Sequence, residues 1–271
     1  MNISAKGYKP KVLIACEYSG VVRAEFEKRG WDATSCDLLP TDKTGKHYQG
    51  NVEDILYNDW DLIIAHPPCT YFTNSGVCWL HKDESRWAKL DDAARFFNLF
   101  LDHPKCKYIA IENPIPHKYA IERIKNRKYT QTVQPWQFGH PESKRTCFWL
   151  RGLPLLAETN NVKSVFEKLP KKEAQRLHYL PPSKDRWKIR STTFKGIAEA
   201  MASQWGGYVE SELAKQKVLN LQRVVCCALC NQELEEYEIK TCRQMWATEP
   251  EMICETCWNR IQNEGYKNVM P

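Results

Sequence analysis

Asp61-Leu62-Ile63-Ile64-Ala65-His66-Pro67-Pro68-Cys69 decides how this chain is read. A short apolar run predicts a strand, and the Pro-Pro pair halts it, because proline has no amide hydrogen to give to a sheet ladder. The stiff turn throws Cys69 out at the strand's end, where a thiol can meet a substrate face-on. A second run, Tyr108-Ile109-Ala110-Ile111, ends in the same way, with Glu112 at its tip and Pro114 stopping it. In an open parallel sheet the carboxyl ends of neighbouring strands share one crevice. A thiol nucleophile and a carboxyl acid would then stand side by side.

Outward from these runs, strand and helix patterns alternate over the first two hundred residues. Residues 11–16 read as a strand, 20–29 as a helix and 32–37 as a second strand. Residues 85–103 are amphipathic, with Trp87, Leu90, Ala94, Phe97 and Leu101 at helical spacing. Residues 107–113 are the next strand, and 145–150 with a helical 194–204 complete the set. Such alternation implies βαβ units, hence an α/β domain with helices covering a mostly parallel sheet. Residues 151–190 differ in character, with prolines at 154, 181 and 182 and ten basic residues against four acidic. After Gly206-Gly207 a polar, helix-like linker leads to a cysteine-rich end. The predicted organisation is a catalytic domain over 1–207 containing the 151–190 insert, a linker helix over 208–223 and a small module over 224–271.

The chain has 271 residues, with no apolar run near bilayer-spanning length and no signal-peptide pattern, so a cytoplasmic protein without a membrane partner is expected. Its twelve cysteines divide evenly, six of them crowding into the last fifty residues. Cys227-x-x-Cys230 and Cys254-x-x-Cys257 stand 23 residues apart, the paired-knuckle spacing of a structural zinc ribbon. Cys226 and Cys242 are spare thiols beside them. Four thiolates make a closed site, so the Zn2+ would hold the fold and leave chemistry elsewhere. Charge is split as well: residues 1–207 hold 32 Lys+Arg against 23 Asp+Glu, and residues 208–271 hold 7 against 10. The basic part should seek a polyanion. The acidic tail suits a protein partner or self-association.

Pro67-Pro68-Cys69-Thr70-Tyr71-Phe72-Thr73-Asn74-Ser75-Gly76, followed by Glu112-Asn113-Pro114, resembles the paired catalytic motifs of the DNA (cytosine-5)-methyltransferases. The resemblance spans about residues 11–206, interrupted by the insert, and points to a compact, phage- or prophage-like member in a bacterial or phage-infected cell. It implies a Rossmann-like S-adenosylmethionine (SAM)-dependent methyltransferase sheet with helices on both faces, acting on double- or single-stranded DNA. Cys69 would add to carbon 6 of a flipped-out cytosine and Glu112, its pKa raised by burial, would donate to ring nitrogen N3. Residues 138–148 resemble a motif that supports the flipped base, with Arg145 as the retained cation. Thr70–Gly76 would be a mobile flap. For SAM, the resemblance implies the turn Glu17-Tyr18-Ser19-Gly20, Asp37 for the ribose hydroxyls, Asn51 and Val52 for adenine, and Pro67 beside the donor. Glycines are common in the family at positions 17–19, so this turn departs from the pattern. The departure leaves a modified SAM donor open. Two further alternatives are C5 modification of a free pyrimidine nucleotide, and an inactive relative that binds DNA or protein.

Overall fold

Strands β1 (Lys11–Ala15), β2 (Asp32–Asp37), β3 (His47–Gln49), β4 (Leu62–Ala65), β5 (Tyr108–Pro114), β6 (Gln131–Val133) and β7 (Thr146–Arg151) form one sheet in the order β3-β2-β1-β4-β5-β7-β6. They belong to a computed structural model that describes residues 8–223, the pairs 225–226 and 233–234, and residue 259. The chain divides into two compact units, Met1–Glu210 and Ser211–Pro271. Neighbours from β3 to β5 are parallel, and β7 enters antiparallel between β5 and β6. The α/β expectation holds. The short edge strands β3 and β6 carry no long apolar run and escape a reading by pattern.

Val12–Ala15 and Leu62–Ala65 have no exposed surface at all. Central parallel strands are covered on both faces, which is why β1 and β4 read as unbroken apolar runs rather than alternating ones. On one face lies the helix Ser85–Leu101, with Leu90, Ala94, Phe97 and Phe100 buried. Phe97 stacks on Phe72 at 5.0 Å and meets Trp149 edge-on at 5.1 Å. Trp87 and Leu101, read as part of the same stripe, are only partly covered, and Phe100 takes the innermost place. The other face carries the helix Val21–Lys28 and a helical run of Lys195–Ala200 and a π-type turn Met201–Trp205, continued by a helix that begins at Gly206. Trp205 is fully buried there, edge-on to Phe148 at 5.4 Å.

Gly206-Gly207, where the catalytic domain is expected to end, lies inside this helical run, and the first compact unit ends close by, at Glu210. The pair's missing side chains make room for Arg29: a Cβ on Gly206 would stand 2.9 Å from Arg29 Cδ. Arg29 donates to both carboxylate oxygens of Glu210, at 2.9 and 2.7 Å, and Trp31 Nε1 adds a third bond at 2.6 Å. Close approach, not chain reversal, explains the pair.

In the second unit Val225–Cys226 and Glu233–Leu234 form an antiparallel pair. The expected zinc ligands Cys227, Cys230, Cys254 and Cys257 lie outside the described residues. Among the described residues no helix is long and apolar enough to cross a membrane.

β1 and β4 are adjacent, yet the chain leaves β1 toward β2 and leaves β4 toward β5. Connections departing in opposite directions leave a crevice beyond the carboxyl ends of these two strands.

Candidate active site

The turn after β4 is built from backbone outward. His66 N–H donates to Ala15 O at 2.9 Å, extending the pairing with β1 by one residue before Pro67 and Pro68 end it. The amides of Phe72 and Thr73 then turn back to Cys69 O, at 3.0 and 3.2 Å, while the Phe72 ring anchors the turn in the core. Asn113, one residue past Glu112 on β5, donates from Nδ2 to Pro67 O at 2.9 Å. The Asn of Glu-Asn-Pro therefore staples the Pro-Pro-Cys turn to β5. Residues 71–73, expected in a mobile flap, are also held. His117 N–H donates to Phe72 O at 2.9 Å, the His117 ring bonds Tyr71 O at 2.8 Å, and Thr73 bridges Pro116.

A cavity of about 130 Å³ lies in the crevice. Cys69 and Glu112 share its wall with Pro67 and with Glu17, Tyr18 and Ser19 from the turn after β1. His66, Cys16, Asn113, Lys144 and residues 190–193 complete it. Arg145, expected to be the site's cation, is exposed and outside that wall. Alternation into β7, whose Thr146 is buried, turns Arg145 outward and leaves Lys144 facing the cavity. Lys144 Nζ donates to Thr192 O at 3.3 Å.

A second cavity, again of about 130 Å³, is lined by Asp37, Leu38, Gly50, Asn51, Val52 and Phe96. It shares Cys16 and Pro68 with the first, so a two-part ligand can run from one to the other. Gly20 lines neither. It starts the helix Val21–Lys28 with φ 63°, and a Cβ there would stand 2.7 Å from Arg23 Nη2. Cys16, where β1 ends, also has a positive φ of 59°, a conformation that costs a non-glycine residue.

Glu17 is buried, and its carboxylate accepts from Val22 N at 2.7 Å, Arg23 N at 3.3 Å and Ser19 Oγ at 3.2 Å. An acid thus fills the anion position that a helix N-terminus offers. The pocket beside it receives negative charge from Glu17 in place of bare amides.

Burial pushes the Cys69 thiol up, the Glu112 charge pushes it further, and Lys144 and Arg190 only partly offset this, so it lies above the ordinary thiol range. Glu112 corrects the expectation of a raised carboxyl. Burial alone would push it up, but the hydrogen bond from His66 and the charge of Lys144 outweigh burial and hold it below the usual range. His66 Nδ1 stands 3.1 Å from Glu112 Oε2.

These fields make a prediction about reactivity. Site-resolved mass spectrometry of iodoacetamide labelling across pH should give Cys69 an inflection above the ordinary value of about 8.5. Glu112→Gln removes a charge that disfavours the thiolate and should move the inflection down. Lys144→Met should move it up. Shifts of the opposite sign would show that these two charges do not act on the sulfur.

Sequence reasoning missed Lys144, His66, Asn113 and Arg190. His66 and Asn113 lie within or beside the quoted motifs, so strand-end position was a usable signal. Of residues 190–193, the last three open the stretch 191–206, whose resemblance to a motif closing the cofactor site was a signal, and Arg190 had none. All four reach the cavity because the helix Arg186–Ser191 packs on the turn after β1, with Tyr18 Oη donating to Lys188 O at 2.9 Å and the Tyr18 and Trp187 rings 5.5 Å apart.

No family model and no curated protein matches this chain. Among solved structures it is similar to the Entamoeba histolytica methyltransferase EhMeth, at 19% identity and a TM-score of 0.38 over 57% of this chain and 58% of that one. It is also similar to WbdD in complex with the kinase inhibitor LY294002, at 12% identity and a TM-score of 0.31 over 57% and 38%. The chain thus spans little more than half of the first and less than half of the second. At TM-scores below 0.5, neither bears on what this chain does.

Proposed function

We propose that this chain is a SAM-dependent DNA cytosine C5-methyltransferase. The observation that carries the reading is the meeting of Cys69 and Glu112 in one cavity beyond β1, β4 and β5, with Asn113 tying the two motifs together. The mostly parallel sheet with helices on both faces supports it, being the kind of fold that the motifs imply.

The residues of the second cavity fit SAM. Leu38, 74% exposed, faces Val52 and Phe96 across an apolar slot that a flat base would cover. Asp37, at the carboxyl end of β2, accepts from Leu39 N through one oxygen, leaving the other for ribose hydroxyls. Glu17, in the adjoining cavity, suits the ammonium of the methionine half. When bound, SAM supplies the electrophilic methyl group. Cys69 adds to carbon 6 of cytosine and turns carbon 5 into a nucleophile, while Glu112 holds a proton at N3. Lys144 and Arg190 place two positive side chains in the same wall, where a phosphate or the polar edge of the target nucleotide can meet them. The base must leave the stack to reach a site this enclosed.

The test is to incubate the protein with SAM and cytosine-containing DNA, digest to nucleosides and weigh them. Deoxycytidine heavier by one methyl group is expected; unmodified DNA sinks the reading. For the cofactor, Asp37→Ala should weaken SAM binding by about tenfold to a hundredfold in calorimetry, the loss of one or two charge-assisted hydrogen bonds. An unchanged affinity would remove Asp37 from the site. On sequence grounds alone we also propose one structural Zn2+ in the C-terminal module. Metal analysis should find about one zinc per chain, lost in Cys227→Ser with Cys230→Ser.

A further inference from the structure

The two reacting side chains hold their proton the wrong way round for the chemistry just described. Addition to cytosine calls for a sulfur anion at Cys69 and a proton for N3. The surroundings instead favour a Cys69 thiol and an ionised Glu112. One proton must pass from sulfur to carboxylate before or during bond formation.

His66 stands in the same wall, three residues before Cys69. Its Nδ1 bonds Glu112 at 3.1 Å, while its Nε2 is buried and has no hydrogen-bond partner among the described residues. Leaving a buried imidazole nitrogen unanswered is costly, because its hydration is lost and nothing replaces it. The other two buried histidines show what a purely structural one does here. His103 bonds Leu56 O through Nε2 and the amides of Lys105 and Cys106 through Nδ1. His117 likewise bonds Tyr71 O and the amide of Ala120. His66 alone of the three keeps a ring nitrogen uncommitted, and it lies at the cavity that holds the thiol.

We propose that His66 is the proton relay between Cys69 and Glu112, an inference that rests on the methyltransferase reading above. As the sulfur–C6 bond forms in the occupied cavity, the Sγ proton passes to Nε2, which holds no hydrogen bond to Cys69 in the free protein, and Nδ1 passes its own proton to Glu112. The C5=C6 electron pair moves to C4=C5, the C4=N3 pair moves to nitrogen, and N3 takes the proton from the Glu112 carboxyl. The sum is neutral: sulfur gained at C6, hydrogen gained at N3, imidazole unchanged except for its tautomer. After methyl transfer the C5 proton leaves to solvent and its bond pair forms C5=C6, expelling the sulfur, while the N3 proton returns through Glu112 and His66 to the departing thiolate.

The other charged groups facing the pair cannot substitute. Lys144, ahead of β7, and Arg190, from the insert, have only donors to offer. Glu17, from the end of β1, is already bonded to two amides and Ser19. Cys16 and Cys147 are buried thiols whose proton loss burial opposes.

The experiment measures exchange of the cytosine C5 hydrogen for deuterium in DNA, without any methyl donor, together with methyl transfer when SAM is added. Wild type, Cys69→Ser, His66→Gln and His66→Ala are compared between about pH 6 and pH 9, with DNA retention and melting as controls. Glutamine keeps a hydrogen bond to Glu112 but carries no proton. His66→Gln should lose about 10²–10⁴-fold in both rates at neutral pH with DNA binding unchanged. Its logarithmic rate should rise about one unit per pH unit, as solvent takes over removal of the thiol proton. Added imidazole should restore part of the His66→Ala rate. Wild-type rates in His66→Gln beside a dead Cys69→Ser would overturn the relay and leave the methyltransferase reading standing. A slow His66→Gln with an unaltered pH profile, and no imidazole rescue, would make His66 a structural residue and also overturn the relay. Wild type as inert as Cys69→Ser in both assays would end the reading itself.

Discussion

Cys69→Ser should leave the protein folded and lower methyl transfer to cytosine by at least about 10⁴-fold, in line with what removing a covalent nucleophile does elsewhere. A serine hydroxyl ionises far less readily than a thiol and is a weaker nucleophile toward carbon 6. Folding should survive because the contacts that shape the turn are made by backbone: Cys69 O receives Phe72 N and Thr73 N, and Pro67 O receives Asn113. Product should be weighed as nucleosides at several enzyme concentrations, beside a thermal melt of the same preparation. Activity within tenfold of wild type would show that Cys69 is not the nucleophile.

Arg23→Leu should cost about 3–5 kcal/mol of stability, the usual consequence of breaking a buried, hydrogen-bonded charge. The guanidinium has no exposed surface. It donates to Ser35 Oγ at 3.0 Å and to the carbonyls of Lys46, Lys43 and Thr44 at 3.1, 2.7 and 2.9 Å. Its Nε faces Glu27 at 3.4 Å. Arg23 therefore clamps the connection from β2 to β3, which leaves directly from Asp37. Leucine would strand three carbonyls, and SAM affinity should fall along with stability. Arg23→Lys keeps charge but not the fork, and should recover only part of the loss. Urea unfolding followed by circular dichroism reads the effect, and a change below about 1 kcal/mol would show that solvent can replace the clamp.

Much of the centre of this fold was readable in advance because burial on both faces leaves a plain mark. β1, β4 and β5 read as apolar runs for that reason, and their bounds agree with the structure to within a residue or two. The helix Ser85–Leu101 was readable from its period, although Phe100 and not Leu101 became the deepest residue at its end. At the edges the marks fade. β3 and β6 are three residues each, and their side chains need not be apolar. The packing role of Gly206-Gly207 leaves no mark in the sequence, because Arg29, which the pair accommodates, is brought there only by folding.

The sequence by itself determined the central strands, the proline stops at their ends and the two residues, Cys69 and Glu112, that those stops project into one crevice. Local physics suffices for this: an apolar run must be buried, and a proline must end a ladder. Tertiary structure alone decided which cation faces the crevice and where its proton rests. Lys144 replaces Arg145 because the first residues of β7 set which side points inward. Glu112 ionises more readily than a buried carboxyl should because His66, 46 positions earlier in the chain, lies 3.1 Å away. Burial can be inferred from a motif, but the net field at a carboxyl depends on partners that only folding brings within hydrogen-bonding distance.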